Sequence, residues 1–357
     1  MHQRVRFCAA PDGVRLAYAV HGQGPPLVKV ANWLTHVEHD WHSPVWRHWL
    51  ETLERRHTVV RYDERGCGLS DRDPRKVSLA TWIRDLDSVV EAAGFDQFAL
   101  LGMCEGGMVA ISYAARHPER VRCLVLYGTY GRGRLRRGTT QEARDEAEAL
   151  ISLTRRAWDE PTPAYRRLFT NLLIPDGTDE QMVWFDELQR LSSSPAHAAR
   201  CRRVRYSADV TDLARQVTVP TVVLHSRDDA IVPFEEARLL AALIPDAQLV
   251  PLDSANHILL AEEPAFADLD EALHGFLGSH GVRAPVTAPM EALSVRELGV
   301  LELVAAGMGN DEIAGKLFVS ARTVERHLSN VYRKLGVSGK AGRAAAAAWF
   351  TRASAEA

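Results

Sequence analysis

The feature that most constrains this chain is the segment Leu100–Gly107, with the sequence LLGMCEGG. It follows an apolar run that has strand character and leads into a helical pattern, Met108 to Arg116. A strand, a tight glycine-flanked turn and a helix, with a nucleophile at the apex, make a nucleophile elbow. Such a turn is crowded and strained, so the positions two before and two after the nucleophile must be very small. Gly102 and Gly106 hold those positions.

The apex residue of this turn is Cys104, where an elbow more often carries serine. The reactive form of cysteine is the thiolate, and a helix N-terminus together with a nearby imidazolium would favour it. The carboxylate of Glu105, next in sequence, acts in the opposite direction. The sequence therefore predicts a cysteine nucleophile that needs a histidine partner from elsewhere in the chain.

Composition limits the class of protein. The chain has 357 residues, of which 46% are hydrophobic, enough for one large domain and one small one, and its formal net charge is -3. The number of cysteines is odd and their spacing shows no pairs, which indicates reduced thiols and no disulfide framework. The N-terminus lacks an apolar signal core and no apolar run is long enough to span a bilayer. We expect a cytoplasmic protein with no membrane partner.

Strand and helix patterns alternate along most of the chain, which predicts an α/β fold with a mostly parallel, eight-stranded sheet covered on both faces. From about residue 128 to 212 the alternation stops and helical patterns take over, which predicts a cap over the strand ends. The predicted strands are Arg4–Ala9, Val14–Val20, Pro26–Ala31, Thr58–Tyr62, Phe98–Met103, Val121–Tyr127, Val219–Ser226 and Gln248–Leu252.

Three motifs together make residues 1–278 resemble the α/β-hydrolase fold. They are DERGCGLS at Asp63–Ser70, GMCEGG at Gly102–Gly107, and DDAIVP at Asp228–Pro233. In this family the acid follows the next-to-last strand, four residues before a proline, so the resemblance implies Asp229, with Asp228 as the alternative. The base follows the last strand, which implies His257. The chain order Cys104, Asp229, His257 is that of the family.

The resemblance also implies a role for each residue of a catalytic triad. His257 would take or share the thiol proton of Cys104, and Asp229 would fix the histidine tautomer and stabilise the imidazolium. The backbone N–H groups of Trp33 and Glu105 would form the oxyanion hole. Asn32 stands where the family commonly has glycine. Cysteine-for-serine hydrolases of this fold act on lactones and thioesters, so the resemblance leaves both an active and a vestigial hydrolase open.

The cap would supply the roof of a ligand pocket. The candidates to line that pocket are Asn32, Trp158, Tyr165, Phe169, Met182, Trp184 and Phe185. The alternative is that the aromatic residues only pack the cap onto the body. The basic run Arg132–Arg137 is typical of a solvated surface, although it could also meet a carboxylate or acyl phosphate. His36, His39 and His42 lie in a tryptophan-rich loop without cysteine, so we predict no metal site and no cofactor.

The remaining residues form a second, small all-α domain, residues 292–357, after a Pro- and Gly-containing linker at 279–291. A capping box at Ser294–Glu297 begins its first helix. A short helix, Asp311–Leu317, and a longer basic helix, Ala321–Leu335, then flank a tight turn, a pattern typical of a helix-turn-helix. Basic residues are concentrated around the longer helix, where DNA would be met.

This second domain resembles the LuxR-type DNA-binding domain through four motifs: LSVRE at 293–297, NDEIA at 310–314, TVERH at 323–327 and YRKLGV at 332–337. The resemblance implies double-stranded operator DNA as a partner, and a homodimer made by the Ala-rich last helix, Ser338–Phe350. The implied phosphate contacts are Arg322, Thr323 and Lys334, and the implied base-facing residues are Val324, Arg326 and Ser329. Glu325 stands where lysine is common.

Fusion of the two domains predicts a one-component transcription regulator that senses a small-molecule ligand of ester, lactone, thioester or carboxylate type. Three interpretations remain open from the sequence. The first is a sensor with a slow or vestigial hydrolase. The second is a competent esterase, thioesterase or lactonase that binds DNA and degrades its own signal. The third is a pure binding module that uses the triad only for ligand contacts.

Overall fold

The computed structural model describes residues 3–157, 163–280, 293–317, 319–335 and 342–356. Contacts between residues divide the chain into two units, Met1–Val282 and Arg283–Ala357. Most of the predicted linker lies outside the described residues, and its first two residues extend the last helix of the first unit to His280. Across the described residues, no helix is both long enough and apolar enough to cross a membrane.

The first unit is built on an eight-stranded sheet in the order β1-β2-β4-β3-β5-β6-β7-β8. The pairs β1-β2 and β2-β4 are antiparallel, and every other pair is parallel, as the sequence predicted. The strands are β1 (Arg4–Ala9), β2 (Arg15–His21), β3 (Pro26–Lys29), β4 (Thr58–Tyr62), β5 (Phe98–Met103), β6 (Val121–Tyr127), β7 (Thr221–Ser226) and β8 (Gln248–Leu252).

Helices cover both faces of this sheet and form the cap above it. Those that cover the sheet are α1 (Arg47–Glu54), α2 (Leu79–Ala93), α3 (Gly106–Arg116), α10 (Phe234–Leu243) and α11 (Pro264–His280). Between β6 and β7 lie α4 (Arg134–Arg137), α5 (Gln141–Ala157), α6 (Ala164–Leu173), α7 (Asp179–Ser192), α8 (Pro195–Ser207) and α9 (Thr211–Ala214). The helical interruption that the sequence predicted at about 128–212 corresponds to this insertion.

The strand β5 shows why the sheet must be covered on both sides. Its side chains alternate between two hydrophobic clusters: Phe98 and Leu100 belong to one, and Ala99 and Leu101 belong to the other. Successive side chains of a strand point to opposite faces, so a strand that is apolar at every position is stable only between two layers of helices. The apolar run before Cys104 therefore places the elbow at the end of an inner strand of the sheet.

Strand order also determines where the strand ends meet. The chain crosses from β3 to β4 on one side, and β5 then pairs with β3 on the other side. Such a reversal leaves a crevice at the carboxyl ends of the two strands, where open α/β sheets bind their ligands. The residues that follow β3 include Trp33, and the residue that follows β5 is Cys104.

The second unit contains four described helices, α12 (Val295–Ala305), α13 (Asn310–Leu317), α14 (Ala321–Leu335) and α15 (Gly342–Glu356). Ser294 begins α12 through the predicted capping box with Glu297. One small core joins α12, α13 and α14, and it contains Val300, Ile313 and Leu328 among others. The last helix differs from the predicted Ser338–Phe350, because it continues to Glu356.

Candidate active site

The turn at Cys104 has the geometry that its glycines predict. Cys104 has a φ of 49°, a left-handed conformation that is strained for a residue with a side chain. A Cβ added at Gly102 would lie 2.6 Å from the Cβ of Ala110, and one added at Gly106 would lie 2.8 Å from the carbonyl oxygen of Ala31. Any larger side chain at either position would therefore push the turn out of place. The helix α3 begins directly after the turn, at Gly106.

Three side chains from distant parts of the chain meet at this turn. The Nε2 atom of His257 lies 2.9 Å from the Sγ atom of Cys104. The Nδ1 atom of the same ring lies 2.6 Å from Oδ2 of Asp229. The backbone N–H groups of Ile231 and Val232 donate to the other carboxylate oxygen of Asp229, at 2.8 and 3.0 Å. The carboxylate is therefore held in place, and in turn it orients the imidazole toward the thiol.

The charges of the triad are coupled. Burial lowers the pKa of His257, but the negative charges of Asp229 and Cys104 outweigh it and hold that pKa well above its usual range. Burial raises the pKa of Asp229, but the cationic ring of His257 and a contact with His225 hold it below its usual range. Both shifts favour a protonated histidine beside a carboxylate. An imidazolium within hydrogen-bond distance of a thiol favours the nucleophilic form of cysteine.

The histidine His225 is a partner that sequence reasoning missed. Its Nε2 atom lies 3.4 Å from Oδ2 of Asp229 and 2.8 Å from the carbonyl oxygen of Val232. Both Asp229 and His225 are buried, so the second ring shields the carboxylate from solvent. A signal for it does exist in the sequence, because His225 is the next-to-last residue of the strand that precedes Asp229.

The four other cysteines, Cys8, Cys67, Cys123 and Cys201, are also free thiols. Burial raises the pKa of Cys8 to about 11 and that of Cys123 to about 12. Burial also raises the pKa of Cys67 and of Cys201, so at neutral pH all four stay as unreactive thiols. A thiol reaction at neutral pH would therefore report on Cys104.

The segment after β3 is held by a buried lysine. Lys29 Nζ donates to Oδ1 of Asn32 at 2.5 Å and lies 5.5 Å from the centre of the Trp46 ring. Asn32 is buried and accepts from this lysine, and it is not among the residues that line the cavity below the cap, so its assignment to the ligand pocket stays a prediction. Trp33, the next residue, does line that cavity together with Glu105.

Because of Lys29, the free energy of unfolding of the first unit should increase as pH rises from about 8 to 10.5. Burial lowers its pKa to about 8 from 10.5, which corresponds to about 3 kcal/mol. Below pH 8 the lysine is a buried cation that destabilises the fold. Between pH 8 and 10.5 the unfolded chain binds more protons than the folded chain, so this penalty is relieved as pH rises.

We therefore expect Lys29→Met to gain stability relative to wild type at neutral pH and to lose that gain above pH 8. Urea unfolding of both proteins, at a series of pH values, measures the difference in free energy of unfolding. The slope of that difference is the diagnostic quantity, because the lost Asn32 hydrogen bond shifts all values equally. A difference that stays constant between pH 8 and 10.5 would contradict this account.

A small cavity of about 40 Å³ lies beside the elbow, below the cap. Of the aromatic residues predicted to line it, Phe169 does so. Tyr165 is 41% exposed, whereas Phe185 is buried in the core with Met182 and Trp184 packed against the same cluster. For Phe185, Met182 and Trp184 the structure shows packing against a core cluster that also contains Cys104, and Tyr165 is exposed, so a role of these four residues in ligand binding stays a prediction. Trp158 lies outside the described residues.

The motif Asp63–Ser70 joins the body to the cap. The carboxylate of Glu64 pairs with the guanidinium of Arg205 on α8, and both are buried. The Nε2 atom of His197 lies 2.9 Å from the carbonyl oxygen of Arg65 and 3.1 Å from Sγ of Cys201. Donor atoms of Glu64, His197 and Cys201 lie within 4.8 Å of one another, a spacing compatible with metal. Because Arg205 already neutralises Glu64, we assign this cluster to fastening the cap.

The helix α14 carries most of the residues that the LuxR resemblance implies for DNA. Arg322, Arg326 and Ser329 are exposed, and so is Glu325. Thr323 is half-buried, and its hydroxyl lies 2.8 Å from that of Ser320 at the start of the helix. The side chain of Lys334 lies outside the described residues.

Val324 contradicts its predicted role. It is 0% exposed and packs in the core that joins α12, α13 and α14. Its assignment as a base-facing residue is therefore wrong, because a side chain at the centre of a core cannot reach a groove of DNA. Arg343, on α15, is also engaged within the domain, where it donates to Oδ1 of Asn310 at 2.7 Å.

An α/β sheet with a nucleophile elbow, an acid after β7 and a histidine after β8 defines the α/β-hydrolase class. The sequence model of the alpha/beta hydrolase fold matches residues 37–264, and that of the bacterial regulatory proteins of the luxR family matches residues 291–347. The chain belongs to the α/β-hydrolase fold family and carries a C-terminal LuxR-type domain.

Curated relatives align with the hydrolase portion. A protein named "Putative carbamate hydrolase RutD" from Azorhizobium caulinodans is 29% identical over 74% of this chain and 95% of its own length. The 2-hydroxymuconate semialdehyde hydrolase of Pseudomonas putida is 32% identical over 56% of this chain and 70% of its own. Among solved structures, an esterase from Exiguobacterium antarcticum superposes with a TM-score of 0.65 at 23% identity, covering 76% of this chain and 98% of that one.

Proposed function

We propose that this protein is a one-component transcription regulator whose hydrolase-like domain binds an acyl compound at Cys104 and thereby controls DNA binding by the LuxR-type domain. The observation that carries the proposal is the 2.9 Å contact between His257 and Cys104, in a chain that also contains a DNA-binding domain. A hydrolase that served only metabolism would have no need of an operator-binding domain.

The proposed chemistry is acylation of the thiol. The thiolate of Cys104 attacks the carbonyl carbon of an ester, thioester or lactone, a C–S bond forms, and the C–O or C–S bond to the leaving group breaks. His257, which has held the thiol proton, donates it to the leaving alkoxide or thiolate. The backbone N–H groups of Trp33 and Glu105 are the proposed donors to the oxyanion. The product is a thioester on Cys104, which water hydrolyses in a second step.

Control of DNA binding requires that the ligand prefer one arrangement of the regulator over another. A ligand with equal affinity for both arrangements shifts nothing, however tightly it binds. An acyl group on Cys104 would occupy the cavity between the elbow and the cap, so the cap is the part it can bias. The dimer expected of a LuxR-type domain would then carry the change to the operator.

The second candidate function is a competent esterase, thioesterase or lactonase that also ends its own signal. The observation that favours it is the fully connected chain of contacts from Asp229 through His257 to Cys104. Relatives named as hydrolases support the same candidate. The two candidates differ in the rate at which the thioester is hydrolysed.

The test is acylation of the full-length protein with p-nitrophenyl acetate at neutral pH. We expect a burst of one p-nitrophenolate per chain, followed by slow release, and an acetyl group on Cys104 in the mass spectrum. Cys104→Ala should lose the burst and the label, whereas Cys123→Ala, which removes another buried thiol, should keep both. Fast multiple turnover would favour the second candidate. A wild-type protein that shows neither a burst nor turnover would contradict both candidates and leave a pure binding module.

A further inference from the structure

The cavity beside the elbow has an unusual charge arrangement for an apolar pocket. Apolar side chains form much of its wall, among them Leu150 and Phe169 from the cap and Ile231 from the body. Three arginines, Arg134, Arg137 and Arg202, line it as well, and Glu105 is the carboxylate among its lining residues. The three guanidinium groups differ in how completely their hydrogen-bond donors are satisfied.

Arg202, on α8, is fixed but not fully satisfied. It is only 8% exposed, and its guanidinium carbon lies 4.5 Å from the centre of the Trp33 ring and 4.2 Å from that of Phe169. Its Nη1 atom donates to the hydroxyl of Tyr206 at 3.4 Å, a long hydrogen bond. Its Nε atom is buried and has no hydrogen-bond partner among the described residues. A buried donor without an acceptor destabilises the empty site.

Arg137, at the end of α4, also has a buried hydrogen-bond donor without an acceptor. Its Nη2 atom donates to the carbonyl oxygen of Ile231 at 3.2 Å, and its guanidinium carbon lies 5.4 Å from the centre of the Tyr130 ring. Its Nη1 atom is buried and lacks an acceptor within the described part of the chain, and the same holds for the hydroxyl of Tyr130. Donors from three residues around one cavity are therefore unsatisfied.

Neighbouring arginines show that this is not a general property of the basic run. Arg134 pairs with Glu146 at 2.7 Å, and Arg132 pairs with Glu236 at 2.6 Å. Arg136 donates to the carbonyl oxygen of Ser207 at 2.8 Å and is exposed. The buried Nε atom of Arg132 also lacks an acceptor, but its guanidinium is paired with Glu236. Arg137 and Arg202 both line the cavity, each has a buried donor without an acceptor, and neither has a carboxylate partner among the described residues. Glu105 alone does not balance the two charges of Arg137 and Arg202.

We propose that this cavity binds the carboxylate of a short organic acid between Arg137 and Arg202, with the acyl chain against the apolar wall. A planar carboxylate accepts two parallel hydrogen bonds from a guanidinium fork and would satisfy donors that are otherwise buried without acceptors. The small size of the cavity, about 40 Å³, favours a short acid. The inference extends the proposed function, because it makes the ligand an acid or the monoester of a dicarboxylic acid.

The experiment compares butanoate with butanamide, which has the same shape but no charge. Titration calorimetry uses full-length Cys104→Ala protein, in which no acylation can occur, at constant ionic strength maintained with chloride. We expect butanoate to bind about tenfold more tightly than butanamide. Arg202→Met and Arg137→Met should each abolish that difference. Arg136→Met, a change of the same kind on the same helix as Arg137, should preserve it.

The outcomes are distinct. Equal affinity for butanoate and butanamide, or unchanged butanoate affinity in both cavity variants, would overturn the proposal. If inorganic phosphate binds as tightly as butanoate, the site is a general anion site and the assignment to carboxylates is wrong. If Arg202→Met fails to fold, Arg137→Met alone decides the result. Because the protein lacks Cys104, a positive result stands even if the thiol proves unreactive, and a negative result leaves the acylation proposal intact.

Discussion

Replacement of His257 by glutamine is expected to slow acylation of Cys104 by p-nitrophenyl acetate about a thousandfold. The Nε2 atom of His257 is the group that lies within hydrogen-bond distance of the thiol sulfur, at 2.9 Å, and glutamine cannot hold its proton. Loss of a positioned acid–base group costs roughly 10² to 10⁴ in rate. The rate of p-nitrophenolate release in a single turnover at neutral pH measures the effect.

Two further variants sharpen this result. Asp229→Asn should also slow acylation, because an amide can hold the imidazole in the wrong tautomer while keeping the geometry. His117→Gln changes a half-buried histidine at the far end of α3 and should leave the rate unchanged. Thermal unfolding of each variant confirms that it is folded. A wild-type rate in His257→Gln would show that another group accepts the thiol proton, and the triad assignment would then be wrong.

The positions of these three residues followed from the sequence because topology brings strand ends together. Cys104, Asp229 and His257 follow β5, β7 and β8, and the carboxyl ends of parallel neighbours lie at one edge of the sheet. Separation along the chain is therefore irrelevant, but strand recognition alone did not select the residues: the elbow motif identified Cys104, and the family resemblance identified Asp229 and His257. The small residues that the elbow needs are also local in sequence, so Gly102 and Gly106 could be interpreted without coordinates.

The cap was far less predictable. Helical periodicity shows that a segment has two faces, but it does not show what covers them. Tyr165 and Phe169 lie one turn apart on α6, yet the first is exposed and the second lines the cavity. Similarly, Arg136 and Arg137 are adjacent in a run typical of a solvated surface, and only Arg137 lines the cavity. The direction of α4 relative to the body decides this, and no pattern in the sequence encodes it.

Contacts between distant segments were equally hidden. Glu64 meets Arg205 across 141 positions, and Arg65 accepts from His197 across 132. The glycines of Asp63–Ser70 make the motif recognisable in the sequence, but no sequence pattern identifies Arg205 as the partner of Glu64. Gly66 illustrates the reason: a Cβ there would lie 2.1 Å from Nε2 of His197, so this glycine makes room for a ring from another element. Such a requirement becomes visible only when the cap is in place.

The apolar residues of α14 recur at helical spacing and indicate a buried face, which the assignment based on the family resemblance did not take into account. Val324, Leu328, Val331 and Leu335 recur at the spacing of one helix face, and all four are buried. That periodicity places Val324 with the core residues, whereas its position in a motif that resembles the LuxR-type domain suggested DNA. Arg322, Glu325, Arg326 and Ser329 fall on the opposite side and are exposed.

Val324→Asp and Arg326→Asp, two positions apart on α14, should therefore both weaken DNA binding, but for different reasons. Val324→Asp places a carboxylate in a closed core, which costs about 3–5 kcal/mol and is enough to unfold a small helical domain. Arg326→Asp changes an exposed residue, so the domain should stay folded. If Arg326 contacts DNA, as the LuxR resemblance implies, binding should weaken at least about tenfold from loss of the contact and repulsion by phosphate.

Hydrogen exchange and DNA binding, both on the full-length protein, separate these two causes. Peptides from α12, α13 and α14 should lose protection in Val324→Asp and keep it in Arg326→Asp, while peptides from the hydrolase unit should stay protected in both. Affinity is measured on a duplex enriched by the wild-type protein from a random pool. If Val324→Asp keeps its protection, Val324 does not lie in the core. If Arg326→Asp keeps wild-type affinity, the exposed side of α14 is not the surface that binds DNA, and the residues that contact the operator lie on another helix.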